Sequence, residues 1–395
     1  MTGQGTPFPA ADLARPDWTD VCAIARQHAA AVDREGRLPS EALEALKAFG
    51  ALGLGVPAPL GGGGASTATL ARMARDLGAA CASTAMVFAM HQNQLACIVR
   101  HGGDSPWLLD FQRRIAAEGL LLASVTSEEG TGGRLRTSQC CVEPLADDRF
   151  RLTKAGSTIS YGARADALLL TARAGPEAHG SDQVLVVLPR EAVTLEAYRG
   201  WDALGLRGTE SCAFHVSGAG DAAQILPVPF GQIAVETMVP NAHILWGAVW
   251  LGIAGDVVAR TRALIRARMR ARSEADDRAL PRLAEMNGIL QDMDARLRRA
   301  IQIYDAGKAT LEAVEMVLVK TSLSEMALHV ADMGIRIGGF SAYQNTSPYS
   351  LGRHLRDLYA APLMINNEAI LADAGRMLLV NRQSAGNFDD EAPLP

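Results

Sequence analysis

LLASVTS (residues 121–127), RFRLTKAGSTIS (149–160), ADALLLTA (165–172), QVLVVLP (183–189) and SCAFHV (211–216) decide the fold. Each run is of strand length, rich in aliphatic or β-branched residues, and bounded by Gly, Asp or Pro, which is the pattern of an antiparallel β unit. The same stretch holds the densest set of small and hydroxyl residues in the chain: Ser124, Thr126, Ser127, Gly130, Thr131, Gly132 and Gly133, then Ser157, Thr158 and Ser160. Such residues let a backbone approach a flat or phosphorylated ligand while hydroxyls and amides bond its edge. Residues 121–160 are therefore the candidate ligand wall.

Outward from this island the period changes from 2 to 3.6 on both sides. Before it, helical spacing covers residues 20–34, 40–53, 67–77 and 82–100, with the Gly-rich loop VPAPLGGGGAS (56–66) between the second and third. The 82–100 helix is apolar nearly all round and is expected to be buried. After the island, helices are expected over 233–272, 283–308 and 311–334. A last helical region over 350–380 is interrupted near Pro362. The fold class is α+β, with a helical N-terminal domain (1–119), a middle antiparallel β domain (120–226) and a C-terminal four-helix bundle (227–395).

With 395 residues, 48% of them hydrophobic and 21% charged, the chain has ample material for a large core and is not a disordered protein. A net charge of −5 gives no electrostatic case for nucleic acid. The N-terminus MTGQGTPFPAADLARPDW has neither the basic nor the apolar region of a signal peptide. The longest apolar run, 244–255, is too short to span a bilayer, so no membrane is expected. Six cysteines without metal-ligand spacing read as reduced thiols of a cytoplasmic protein.

Helices, a β domain and a helical bundle, in this order and at this length, resemble the acyl-CoA dehydrogenases. SVTSEEGTGG (124–133) resembles the family's flavin loop, with Ser127 at its threonine position. KAGSTIS (154–160) resembles the Gly-x-Lys-x-Trp-Ile-Thr/Ser element, with Ser160 at the hydroxyl that bonds the flavin edge and Thr158 at the Trp. WDALGLRGTESCAFHV (201–216) resembles the segment carrying Gly-Met-Arg-Gly-Thr-x-Ser. GIRIGG (334–339) and GRHLRDLYAAPLM (352–364) resemble the C-terminal Gly-Gly turn and the Arg-Asp before the active-site loop.

The resemblance implies FAD, with FMN as the alternative, bound through Ser124, Thr126, Ser127, Thr158, Ser160 and Asn367. It implies a substrate region at His91, Gly133 and Ile365. It also implies an acyl-CoA or acyl-carrier thioester substrate, an electron-accepting flavoprotein or oxygen, and a homodimer or homotetramer. The chain departs from the family where chemistry is expected. The catalytic carboxylate falls on Ile365, and the alternative site early in the first bundle helix falls at Asn241–Ala242. An isoleucine cannot take a proton, so α,β-oxidation of a thioester needs a substitute base. Glu368, three residues on, is the candidate, although a first-turn glutamate also suits the helix dipole. The adenine-side motif falls on SEADD (273–277), with Arg272 the nearest arginine, and the Gln before the Gly-Gly turn is Ile335.

Several of these residues have a plainer structural reading. Glu128 and Glu129 read as loop charges, Arg207 and Thr209 as a Gly-flanked turn clamp, His91 and His243 as core histidines, and Asn366 and Asn367 as helix caps. Two other functions share the scaffold: a flavin monooxygenase, which drops the glutamate and activates oxygen, and a non-catalytic family member.

Overall fold

The computed structural model describes residues 17–131, 135–272 and 278–380. Five helices open the chain: α1 (Trp18–Glu35), α2 (Ser40–Phe49), α3 (Thr67–Ala80), α4 (Ala82–His101) and α5 (Pro106–Glu118). The sequence reading names no helix at α5, although its signals are present. Pro106 stands at the first helical turn, and Leu108, Phe111, Gln112 and Ile115 are buried at helical spacing.

Seven strands follow: β1 (Leu122–Val125), β2 (Glu143–Pro144), β3 (Arg149–Ile159), β4 (Ala167–Arg173), β5 (Gln183–Pro189), β6 (Val193–Arg199) and β7 (Cys212–Asp221). They form a three-stranded sheet in the order β1-β4-β5 and a four-stranded sheet in the order β2-β3-β7-β6. The expectation of an all-antiparallel unit is corrected here, because β1 pairs parallel with β4. Between them the chain crosses over through the second sheet, and a connection of that length lets parallel strands become neighbours. Strand period alone is the same for either direction. β4 is buried on both faces. Leu168 and Leu170 face the other sheet, whereas Ala167 and Leu169 face α4, α5 and the start of the bundle. The small sheet is therefore a middle layer between the larger sheet and the helices.

The C-terminal block comprises α6 (Phe230–Ile233), a π-helical segment (Ala234–Met238), α7 (Val239–Arg272), α8 (Ala279–Asp305), α9 (Ala313–Gly338), α10 (Phe340–Tyr343), α11 (Gly352–Leu363) and α12 (Asn367–Val380). α7 packs on α8 and α9, as a bundle requires, but equally on α3 and α4. One apolar core thus unites the N- and C-terminal helices. α3 and α7 approach at glycine: a Cβ on Gly252 would meet the Arg75 carbonyl oxygen at 2.0 Å, and one on Gly78 the Val249 carbonyl oxygen at 2.4 Å. The apolar run read as too short to span a membrane is part of one continuous helix, Phe230–Ala271, long and apolar enough by length and composition. Its apolar window is 89% buried within the protein, so here it is a core helix.

Candidate functional site

The ligand wall forms where β1 ends beside the irregular end of β3, whose register to β7 shifts between Gly156 and Ile159. Such a bulge re-aims side chains and interrupts pairing. Ser124 and Thr126 are partly buried on this wall, and among the described residues their hydroxyls hydrogen-bond only each other, at 3.4 Å. They keep hydrogen-bonding capacity for a ligand edge. Ser127 does not, because its hydroxyl donates to the Thr158 carbonyl (2.8 Å) and accepts from the Thr158 amide (3.1 Å). It fastens the loop after β1 to β3. Thr158 contributes its backbone to that clasp and leaves its side chain exposed. Ser160 is buried and stands 2.7 Å from Ser211 Oγ.

Glu128, read as a loop charge, is buried and organises the loop. Its carboxylate accepts from Ser138 Oγ (2.7 Å), the Gln139 amide (3.1 Å) and the Cys140 amide (2.8 Å), and it pairs with Lys154 at 3.4 Å. Lys154 is fully buried and also donates to the Thr171 carbonyl (2.6 Å) and hydroxyl (2.8 Å), and burial lowers its pKa. A buried charge needs this completeness of bonding. Gly133 lies outside the described residues, as do 273–277, and nothing is described of the Arg272 side chain.

The loop 201–210 joins the wall to the bundle. Leu206 stands at φ 48°, its amide donating to Asp357 Oδ1 at 2.7 Å. Arg207 acts as the turn clamp, its Nε donating to the Asp33 carbonyl (2.8 Å) and its Nη1 to the Ala203 carbonyl (3.0 Å). Asp357 is buried on α11, and desolvation raises its pKa to about 6. This contact was not singled out from sequence; the partners are 151 residues apart.

His91 is corrected from substrate contact to a strut. Its Nδ1 accepts from the Leu122 amide (3.0 Å), so Nε2 carries the proton and donates to the Leu52 carbonyl (2.8 Å). Both nitrogens are spent tying α4 to β1 and residue 52, and desolvation lowers its pKa to about 4. His243 is also buried, its Nδ1 bonding the Met316 carbonyl at 3.0 Å; its Nε2 and the nearby Trp246 Nε1 have no partner among the described residues.

Ile365 sits between α11 and α12 at φ 50°, a backbone region hostile to β-branched residues, and is 45% exposed. Its carbonyl accepts from Lys320 Nζ at 2.7 Å. Lys320, on α9, is fully buried and was missed from sequence because nothing sets it apart from the other polar residues of that helix. Burial lowers its pKa to about 8, and among the described residues no carboxylate lies within ion-pair distance. Its second bond goes to Asn367 Oδ1 (2.8 Å), while Asn367 Nδ2 donates to Ser324 Oγ (3.0 Å) and Glu325 Oε1 (2.7 Å). The amide of Asn367 is thus committed to anchoring α12 on α9, which corrects its expected role on a cofactor. Asn366 caps α12, accepting from the Glu368 amide at 2.9 Å. Glu368 is exposed in the first turn of α12, away from the buried Lys320 cluster. A groove of about 420 Å³ between α3, α7 and α8, lined in part by Arg72, Arg75 and Arg298, shares no residue with the wall or the 364–367 loop.

Comparison with known proteins fits this architecture. Residues 21–106 match the model of the acyl-CoA dehydrogenase N-terminal domain, and residues 244–365 match that of an acyl-CoA dehydrogenase C-terminal domain. Cyclohex-1-ene-1-carbonyl-CoA dehydrogenase of Geobacter metallireducens is 25% identical over 178 residues, 45% of this chain and 47%, about half, of the relative. Dibenzothiophene monooxygenase of Mycolicibacterium goodii is 25% identical over 384 residues, 90% of this chain and 91% of the relative. The crystal structure of FMN-bound TdsC from Paenibacillus sp. A11-2 superposes with a TM-score of 0.81 at 20% identity, covering 94% of this chain and 98% of that one. On its two matched domains and its architecture, the chain belongs to the acyl-CoA dehydrogenase family.

Proposed function

We propose that this chain is a flavin-dependent monooxygenase built on the acyl-CoA dehydrogenase scaffold, acting on an apolar organic substrate. The observation that carries this reading is the loop at Ile365. The position expected to hold a proton-abstracting carboxylate is apolar, and its carbonyl is bound by a cation, Lys320. Among the sequence relatives, the similarity to a monooxygenase extends over nearly the full length of both chains and that to a thioester dehydrogenase over less than half, while in fold butyryl-CoA dehydrogenase of Megasphaera elsdenii matches as fully as the monooxygenase.

The wall residues fit a flavin, FMN or FAD: partly buried Ser124 and Thr126 hydroxyls without other partners among the described residues, beside a strand whose pairing is interrupted. When bound, the flavin supplies two electrons to O2, one oxygen atom going to the substrate and the other leaving as water. The chain's own contribution is to hold the ring edge at residues 124–126 and 160 with hydroxyls fixed before the ligand arrives.

The test is anaerobic and aerobic in turn. Protein loaded with dithionite-reduced FMN should consume O2 faster with an apolar aromatic or heteroaromatic compound present, yielding a product one oxygen heavier. No acyl-CoA of any chain length should bleach the oxidised flavin. A second reading, thioester dehydrogenation with Glu368 as base, draws on that carboxylate's lack of a side-chain partner among the described residues. Anaerobic bleaching by an acyl-CoA that Glu368→Gln abolishes would establish it and defeat the monooxygenase. The six unpaired cysteines accord with a reducing, cytoplasmic setting. Exposed Phe340, Tyr343, Leu363, Leu371, Leu378 and Leu379 suit burial against a second copy in a homodimer or homotetramer. Sedimentation at 41.8 kDa would contradict that assembly.

A further inference from the structure

Three buried hydroxyls form a chain that ends on the ligand wall. Ser160 Oγ lies 2.7 Å from Ser211 Oγ, Ser211 Oγ lies 2.7 Å from Thr209 Oγ1, and Thr209 Oγ1 lies 2.9 Å from the Leu206 carbonyl oxygen. Each hydroxyl has one proton, and a carbonyl has none. Three contacts therefore need all three protons, and only one assignment makes every bond. Thr209 donates to Leu206, Ser211 donates to Thr209, and Ser160 donates to Ser211. The backbone at the far end is held in place. Leu206 is clamped by its amide bond to Asp357 (2.7 Å), and its carbonyl also accepts from Trp201 Nε1 (3.1 Å) and the Thr209 amide (3.1 Å). All three hydroxyl side chains are buried, so water does not compete for their protons.

We propose that this relay makes Ser160 an obligate hydrogen-bond acceptor, so that the wall discriminates between the redox states of a flavin ring in favour of the reduced one. The chemistry of the ring supplies the discrimination. Nitrogen N5 of the oxidised ring is a bare acceptor and finds no donor in Ser160. Addition of two electrons and two protons turns it into an N–H, which a lone pair of Ser160 accepts. The inference rests on the reading that the N5 edge of a flavin lies against Ser160, and it adds the direction of the bond, which residue type alone leaves open.

The experiment measures dissociation constants of oxidised and dithionite-reduced FMN and FAD under anaerobiosis. The proteins are the wild type, Ser211→Ala, Thr209→Val and Ser211→Thr, with thermal unfolding as the check on folding. The wild type should bind the reduced ring more tightly. Ser211→Ala takes away the acceptor of the Ser160 proton, and Thr209→Val lets the Ser211 proton turn to Ser160. Either change frees Ser160 to donate outward. Each should cut the preference for reduced flavin about tenfold, or about 30 mV in midpoint potential for a two-electron couple. Ser211→Thr keeps the hydroxyl and should restore the wild-type ratio. The inference is overturned if the wild type binds both redox states equally, or if folded Ser211→Ala and Thr209→Val keep its ratio. Failure of the wild type to bind either flavin in either state would instead remove the flavoprotein reading, and this inference with it.

Discussion

Lys154 in β3 and Lys320 in α9 are both fully buried cations, and the two regions around them solve the same problem differently. Lys154 has a carboxylate partner, Glu128, which in turn accepts from a hydroxyl and two amides. Lys320 rests on two neutral oxygens, the Ile365 carbonyl and Asn367 Oδ1, and the residue it holds stands at φ 50°. The first region is electrostatically closed; in the second the Glu325 carboxylate acts on Lys320 only from beyond ion-pair distance, through the shared Asn367 amide, beside a left-handed loop residue. Strain and loosely paired charge are costs that a fold tolerates chiefly where a site needs them.

The largest effect expected from breaking this contrast is at Glu128. Glu128→Ala leaves Lys154 buried without its counter-charge and should cost about 3–5 kcal/mol, read from denaturant unfolding. Lys320→Met leaves no charge orphaned and should cost no more than about 1–2 kcal/mol, for the two oxygens that lose a donor. Equal losses in the two variants would erase the distinction.

Acid should act next, and through the helical side. His354 on α11 donates from Nε2 to Asp256 Oδ2 at 2.8 Å, its Nδ1 has no partner among the described residues, and desolvation lowers its pKa to about 4. Arg260 also donates to Asp256 Oδ2, and Arg26 to its Oδ1. A folded-state pKa below the ordinary ~6.5 means stability present above pH ~6.5 and lost as pH falls toward 4, worth roughly 3 kcal/mol for such a group. His91 and His243 have the same sign. Unfolding free energies measured from pH 7.5 to 4.5 should fall steadily, and less steeply in His354→Asn.

Asp357 works in the opposite direction. Its folded pKa of about 6 exceeds the ordinary ~3.9, so its contribution is present at low pH and declines as pH rises through 6, by roughly 3 kcal/mol. Asp357→Asn, which still accepts from the Leu206 amide, should remove that decline and raise stability at pH 7. The smallest effect sharpens the comparison at the loop itself. Ile365→Gly relieves a left-handed conformation at a half-exposed residue and should stabilise by about 1 kcal/mol, provided Lys320 keeps its bond to the carbonyl. A loss in melting temperature would show that the loop is not strained.

The β island was legible because its strands alternate with turn residues at short range, and the helices because their apolar positions recur locally. What was missed had weak or short signals. β6 reads VTLEAYR, an alternating run passed over among polar neighbours, and β2 is two residues long. The parallel pairing of β1 with β4 escaped because period carries no direction. The hydroxyls Ser124, Thr126, Ser127 and Ser160 were found by residue type, but type does not say where each proton goes. Ser127 turned out to spend its proton on Thr158, and Asn367 its amide on α9.

By itself the sequence determined the helix–strand–helix order, the cluster of hydroxyl residues over 124–160 and an isoleucine at position 365, since each is written in neighbouring residues. Only the tertiary structure decided that His91 is a strut, that Glu128 and Lys154 form a closed pair, and that Lys320 grips Ile365. These depend on partners 26 to 45 residues apart, brought together by burial of the apolar core. Polar side chains sealed in that core must find whichever partners packing leaves within reach, and no local pattern in the chain records which those are.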